Sequence, residues 1–433
     1  MGLTMVIHVV QAGETITSIA EMYGVPVEQL IKDNGLPNSN DLVVGQCIVI
    51  VYPELTYTIQ EGDTLDSIAR SNNISVIQLL RNNPFLSDRE FLYPGETLVI
   101  SYGEKKDSIT TNGYANPFID REILKKTLPF LTYLSIFGYR VTENADIIEP
   151  GDDDLIQLAR VYHVAPVMVL STLSFQGIGS AEAAYHILYN ENLVNRYINN
   201  ILITLRRKGL YGVSFIYSYL ISNNTDIYNK FTEKITQRLN REGFAVFISL
   251  PPMMIVEKNT LSFEKIDYSE IGKYANQIVV MNYNWGHTYG PPMPASSIYR
   301  LRNYLEYLVT TLPTEKMTIG LSLIGYSWML PYIAGVTRAN SLTYDASIML
   351  ARETGSEILF DEESQTPYYE YIDESSGVPR KFVVWFIDAR SIDALTSLVT
   401  EYNFPGIAAW NIMTYFSQMW LIINSQYEIL TID

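Results

Sequence analysis

The chain has 433 residues, with 30 Lys and Arg against 47 Asp and Glu, giving a formal charge of −17. That acidity repels nucleic-acid phosphates and anionic lipid headgroups, and the densest basic run, Arg206-Arg207-Lys208, reads as a solvated helix end. The length calls for more than one domain, and a single cysteine excludes a disulfide framework or a multi-cysteine metal site.

Met1 to Val10 carries no basic region and no apolar run long enough for a signal peptide. No stretch of about 18 apolar residues follows, so the expectation is cytoplasmic synthesis without a leader or a membrane span. An internal repeat then organises the N-terminal quarter. Val9-Val10-Gln11-Ala12-Gly13-Glu14-Thr15-Ile16-Thr17-Ser18-Ile19-Ala20 recurs as Thr58-Ile59-Gln60-Glu61-Gly62-Asp63-Thr64-Leu65-Asp66-Ser67-Ile68-Ala69, an offset of 49 that also carries Leu30 onto Leu79 and Asn34 onto Asn83. Each copy reads as strand, helix, helix, strand. The first strands are Ile7 to Val10 and Tyr57 to Gln60, and the last are Gln46 to Val51 and Thr97 to Tyr102. Gly13 and Gly62 permit turns, while Thr15 and Thr64 stand where a helix N-cap is needed. Asn34-Gly35 and Asn83-Pro84 stop the second helix of each copy. Cys47, inside the apolar run Cys47-Ile48-Val49-Ile50, reads as a buried filler.

These units, 4–51 and 55–102, resemble LysM modules, small βααβ domains that bind N-acetylglucosamine-containing glycans such as peptidoglycan and chitin. The resemblance places sugar between the first strand–helix loop and the second helix–strand loop. It implies contacts from Gly13, Glu14, Thr15, Ile16 and Asn34 to Pro37. In the second copy it implies Gly62, Asp63, Thr64, Leu65 and Asn82 to Phe85, Asn83 among them. The Gly and Thr positions are also what the fold itself needs for turn and cap. Two modules in tandem raise avidity on a polymer without a new contact.

From 104 to 433, apolar β-type runs alternate with helical stretches, the pattern of a parallel α/β domain. The runs are near Thr111 to Tyr114, then Tyr133 to Gly138, Pro166 to Leu173, Val213 to Tyr219, Ala245 to Pro251, Gln277 to Tyr283, Met317 to Ile324 and Gly406 to Met413. Eight such runs predict a (β/α)8 TIM barrel, with an insertion after strand seven over about 329–384, rich in Tyr and Ser and poorly helical.

Met281-Asn282-Tyr283-Asn284-Trp285-Gly286-His287-Thr288-Tyr289-Gly290-Pro291-Pro292-Met293-Pro294 is similar to the sixth-strand signature of family 18 glycoside hydrolases. The similarity is to the LysM-bearing branch that cleaves spore cortex peptidoglycan. Ile324 to Pro331, Trp385 to Ser391 and Gly406 to Trp410 resemble the same branch around strands seven and eight. In that family the substrate's acetamido group is the nucleophile. The resemblance therefore calls for a Glu to protonate the leaving oxygen and an Asp to orient the acetamide, both in Asp-x-x-Asp-x-Asp-x-Glu at the end of strand four.

Here that stretch is Tyr211-Gly212-Val213-Ser214-Phe215-Ile216-Tyr217-Ser218-Tyr219, aligned by Gly212-Val213 and Tyr219. Ser218 occupies the acid position, Ile216 the acetamide-orienting one, and Ser214 the neighbouring acidic one. No Asp or Glu lies between Lys208 and Asn224, so no shift of register supplies the pair. Asn284, Ser327 and Ile387 likewise stand where the branch tends to carry acids. Aromatic residues remain, and the resemblance implies sugar contacts from Tyr219, Tyr283, Trp285, Tyr326 and Trp410, with Trp410 at the barrel floor. Trp328 and Trp385 are weaker candidates. Asp388 and Arg390 read as a salt bridge or helix cap, and nothing in the spacing of Glu143 and Asp146 identifies a replacement acid.

The four histidines, His8, His163, His186 and His287, lack metal-ligand spacing, and no phosphate loop or serine nucleophile elbow is present, so no metal or cofactor is expected. The expectation is a glycan-binding protein of the spore coat or cell envelope with a catalytically degenerate barrel. Its partners would be a peptidoglycan- or chitin-type glycan and spore-coat proteins. Two alternatives stand beside it: an active N-acetylglucosaminidase using an unconventional acid, and a purely structural coat protein.

Overall fold

The computed structural model describes residues 5–37, 42–87, 89, 91–171, 186–257, 260–281, 287–375 and 377–432. Each repeat folds as an antiparallel strand pair with two short helices. The first joins Met5–Val9 to Cys47–Val51 around helices Ile16–Tyr23 and Val27–Asn34. The second joins Pro53–Thr58 to Thr97–Tyr102 around Leu65–Ser71 and Val76–Asn82.

Eight parallel strands form the barrel: Asp107–Ala115, Tyr133–Val141, Ala165–Ser171, Gly212–Ile216, Ala245–Leu250, Gln277–Val280, Met317–Ser322 and Gly406–Trp410. The first pairs with both the second and the eighth, which closes the sheet. All eight expected strands are present. The fourth is shorter than read, ending at Ile216, with the chain turning through Ser218 and Tyr219. Alternation divides its residues: Val213 and Phe215 pack outward in the main core, whereas Ile216 faces the barrel interior.

Between strand seven and the Ala389–Tyr402 helix lies a five-stranded antiparallel sheet, built from Gly325–Leu330, Asn340–Leu342, Leu359–Asp361, Thr366–Asp373 and Arg380–Trp385. It also holds a 10-residue helix, Tyr344–Glu353, which the Tyr- and Ser-rich composition concealed. Its apolar contacts, Ile348 and Ala351 against Tyr369, Val384 and Phe386, are made across the insertion and leave little helical periodicity in the chain.

The repeats are not tethered beads. In Cys47–Val51 every residue is buried, because Ile48 and Ile50 fill the repeat's own core while Cys47, Val49 and Val51 join the barrel's. Both faces being covered, the strand reads as a continuous apolar run. In the second repeat Leu98 and Ile100 face inward, and Val99 and Tyr102 face the barrel. Full burial of each such aliphatic side chain contributes about 1.5–3 kcal/mol, so the docked arrangement is firmly held. One docking element of the barrel, shared by both modules, is the Ser417–Gln426 helix. Gln418 Nε2 donates to Asn34 Oδ1 at 3.0 Å and to the Cys47 carbonyl at 2.7 Å, and Asn424 Nδ2 donates to Asn82 Oδ1 at 2.9 Å.

Candidate functional site

In each repeat the first loop is exposed and built by local hydrogen bonds. Thr15 Oγ1 accepts from Ser18 N at 3.1 Å while Ser18 Oγ accepts from Thr15 N at 3.0 Å, a reciprocal cap repeated at Thr64 and Ser67. Glu14 and Asp63 close the preceding turn by accepting the Gln11 and Gln60 amides, each at 2.7 Å. That backbone bond, with His8 Nε2 at 2.8 Å, holds the Glu14 carboxyl below its usual range. His8 has a counterpart in Tyr57, whose hydroxyl donates to Asp63 at 2.9 Å. The histidine thus belongs to the turn. Gly13 and Gly62 adopt φ of 84° and 86°, the left-handed region these turns require. Removing a cap hydroxyl, Thr15→Ala or Thr64→Ala, is expected to cost about 1 kcal/mol, measured as a lowered urea midpoint at unchanged m-value.

Four expected sugar contacts are corrected. Ile16 is 0% exposed in the first repeat's core, whereas its counterpart Leu65 is only partly buried. Asn34, Asn82 and Asn83 are buried, with amides that tie helix to strand; Asn82 Nδ2 donates to the Ile100 carbonyl at 2.6 Å. Asn83 Nδ2 donates to the Leu79 and Val99 carbonyls at 2.9 and 2.7 Å, and Asn83 Oδ1 accepts from Val99 N at 2.8 Å. Asn34 has both donors and both lone pairs engaged, and Asn83 keeps a single lone pair at 1% exposure, so neither is placed to hold a sugar. Gly13, Glu14, Thr15, Gly62, Asp63 and Thr64 remain at or near the surface.

At the barrel mouth, Ile216 is buried among Tyr114, Val169, Val279, Met281 and Ala408, with Phe137 and Trp410 packed alongside. Trp410 is half-buried, its ring 4.8 Å from Phe137 edge-on and 5.4 Å from Tyr114. Tyr114, whose hydroxyl pairs with Ser249 Oγ at 3.2 Å, has its pKa raised by burial. Ser214 is buried one pair of residues deeper, and Ser218 lies in the turn above. Tyr219 is exposed beside it; Tyr326 is half-buried on the first insertion strand, 5.5 Å from Trp328. Tyr283, Asn284 and Trp285 lie outside the described residues.

The acids weighed as replacements, Asp388, Asp146 and Glu143, lie elsewhere. Asp388 N-caps the Ala389–Tyr402 helix through the Arg390 and Ser391 amides, pairs with Arg390 Nη2 at 2.7 Å, and accepts from Cys47 Sγ at 3.2 Å. Burial, first, and the adjacent Asp388 charge push the Cys47 thiol well up, so it is inert filler. Asp146 pairs with Arg196 at 2.7 Å on the barrel's outer helix layer, and Glu143 is exposed in a hairpin turn. Among the described residues, no group of three or more His, Cys, Asp or Glu could hold a metal, and no helix is long and apolar enough to cross a membrane.

Sequence reasoning missed the docking residues Gln418, Asn424 and Arg81. Four polar residues, Gln418, Asn424, Ser425 and Gln426, are all buried in one ten-residue helix, a hint of it in the chain.

The family model "Glycosyl hydrolases family 18" matches residues 169–414, and "LysM domain" matches 8–51 and 57–101. The chain is 34% identical to the cortical fragment-lytic enzyme of Bacillus subtilis (strain 168), over 98% of this chain and 99% of that one. It is 30% identical to the putative sporulation-specific glycosylase YdhD of the same organism, over 96% and 98%. The crystal structure of the Bacillus megaterium QM B1551 spore cortex-lytic enzyme SleL superposes with a TM-score of 0.81 at 30% identity, covering 100% of both chains.

Proposed function

The chain belongs to glycosyl hydrolase family 18, joined to two LysM domains, and from that premise we propose that it binds spore peptidoglycan without cleaving it. Relatives named as cortex-lytic enzymes support the glycan and the spore setting. The carrying observation is Ile216. At the position that orients the acetamide in the family, a 6% exposed isoleucine packs among apolar and aromatic side chains, and no carboxylate lies between Lys208 and Asn224. Such surroundings neither supply a proton nor support an ion. The retained aromatics, Trp410 and Tyr219 first, provide faces on which a sugar ring can stack. On this reading the LysM pair anchors the protein on the polymer, and the barrel adds a second binding face.

Sedimentation with insoluble peptidoglycan and with chitin tests the proposal. The chain is expected in the pellet, displaced by soluble chitotetraose. Recovery in the supernatant at every polymer load sinks the binding claim and favours a coat protein whose barrel contacts only other proteins.

A further inference from the structure

The repeat offset that carries Asn34 onto Asn83 also carries Lys32 onto Arg81, and the fold brings these two cations to one cavity. It has a volume of about 170 Å³ and lies where both LysM modules meet the barrel. Lys32 and Asp33 come from the first module, Arg81 and Phe85 from the second, and Lys126 and Tyr415 from the barrel. That volume equals five or six waters at ~30 Å³ each. Pockets that enclose a whole small ligand run to roughly 300–1,000 Å³, so this one takes the tip of a ligand rather than a sugar chain.

Its charge is opposite to the protein's. Three cations and one carboxylate line it, in a chain of net charge −17. Arg81 is only 4% exposed, and its hydrogen bonds go to uncharged acceptors: the Pro129 carbonyl at 2.7 Å, the Ile429 carbonyl at 3.1 Å and Gln78 Oε1 at 3.0 Å. Among the described residues no carboxylate lies within ion-pair distance of it. Burial lowers its pKa to about 10, with Glu428 opposing the shift from further away. A buried guanidinium without a paired anion is costly, and the protein maintains one at a cavity wall. Lys126 stands over the Tyr415 ring at 4.5 Å, and Lys32, at the rim, over Phe85 at 4.6 Å while pairing with Glu96 at 2.9 Å. The one acid, Asp33, is bonded to Gln29, and burial raises its carboxyl to about 7, which reduces its repulsion of an entering anion.

We propose that this junction cavity receives a carboxylate borne by the peptidoglycan strand, with Arg81 as its main partner and Lys32 and Lys126 flanking it. The site rests on the glycan-binding reading above and narrows its ligand to the acidic, muramyl-containing polymer rather than neutral chitin. Two parts of that polymer carry the required group: the lactyl ether of a muramic acid that bears no stem peptide, and the stem peptide itself.

Calorimetric titration of the full chain with three probes separates the possibilities: N-acetylmuramic acid for the lactyl carboxylate, L-Ala-D-isoglutamine for the stem, and neutral chitotetraose. At least one acidic probe is expected to bind, about tenfold more weakly to the Lys32→Gln/Lys126→Gln variant and more weakly as salt rises, with chitotetraose unaffected. Arg81→Met tests the guanidinium directly where circular dichroism finds it folded. The lysine pair, whose side chains are only partly buried, keeps the test decisive where it is not. Equal affinity of wild type and the lysine variant for both acidic probes, or no binding of either, overturns the proposal. Failure of wild type to bind chitotetraose, with an acidic probe still bound, counts against the glycan reading and leaves the cavity standing.

Discussion

Spore cortex fragments incubated with this chain are expected to release no reducing sugar above background. Loss of one general acid typically removes about 10²–10⁴ in rate, and on the proposed reading Ser218 and Ile216 stand at the positions of the proton donor and the acetamide-orienting carboxylate. A serine hydroxyl titrates far above neutrality, so it cannot hand a proton to the leaving oxygen. The converse experiment probes how far the mouth has diverged. Ile216→Asp with Ser218→Glu is expected to yield at most weak hydrolysis and to lower the melting temperature. The carboxylate introduced in place of Ile216 would lie among Tyr114, Val169, Val279 and Met281, an apolar burial that costs several kcal/mol or forces protonation. Wild-type turnover that vanishes on Glu143→Gln or Asp388→Asn would instead establish an unconventional acid. The geometry argues against both, since Asp388 is spent capping a helix and Glu143 projects from a hairpin.

Asn34→Ala is expected to destabilise the protein on the order of 3 kcal/mol or more, several times the loss at either threonine cap. Asn34 Nδ2 donates to the Leu30 and Val49 carbonyls, both at 2.9 Å, and Asn34 Oδ1 accepts from Val49 N at 2.7 Å and from Gln418 Nε2 at 3.0 Å. Truncation strands these partners in a buried site, where each unpaired group costs about 1–3 kcal/mol. One of them, Gln418, lies on the barrel, so the loss also loosens docking of the first module. Urea unfolding reads the first effect, and chitotetraose titration of the folded variant separates the two roles. Unchanged sugar affinity beside the lost stability fits a framework residue. A collapse of affinity at full stability would return Asn34 to the sugar site.

Much of the architecture was legible because its causes are local. Thr15 and Ser18 are three residues apart, as are Glu14 and the Gln11 amide, so the repeat motif carries its own turn and cap. The eight strands were legible from apolar runs bounded by turn residues, although the fourth ended early because Ser218 and Tyr219 lie in a turn rather than in the ladder. The sugar-site assignments fared less evenly. Ile16 and Leu65 occupy equivalent positions in the repeat, yet one is sealed and the other half-open, a difference set by neighbours that sequence spacing does not specify.

Taken alone, the sequence determined the two repeated modules, the barrel, and the absence of carboxylates at the end of the fourth strand, since each follows from residue type and short-range spacing. Only the tertiary structure decided what those modules face. Asn34 meets Gln418 across 384 positions, and Arg81 meets Ile429 across 348. No local pattern encodes such contacts, because they arise when apolar strands such as Cys47–Val51 bury their second face against a distant helix. That packing turned the three asparagines expected at the sugar, Asn34, Asn82 and Asn83, into framework residues, and it converted two repeat-related cations into the wall of a shared cavity.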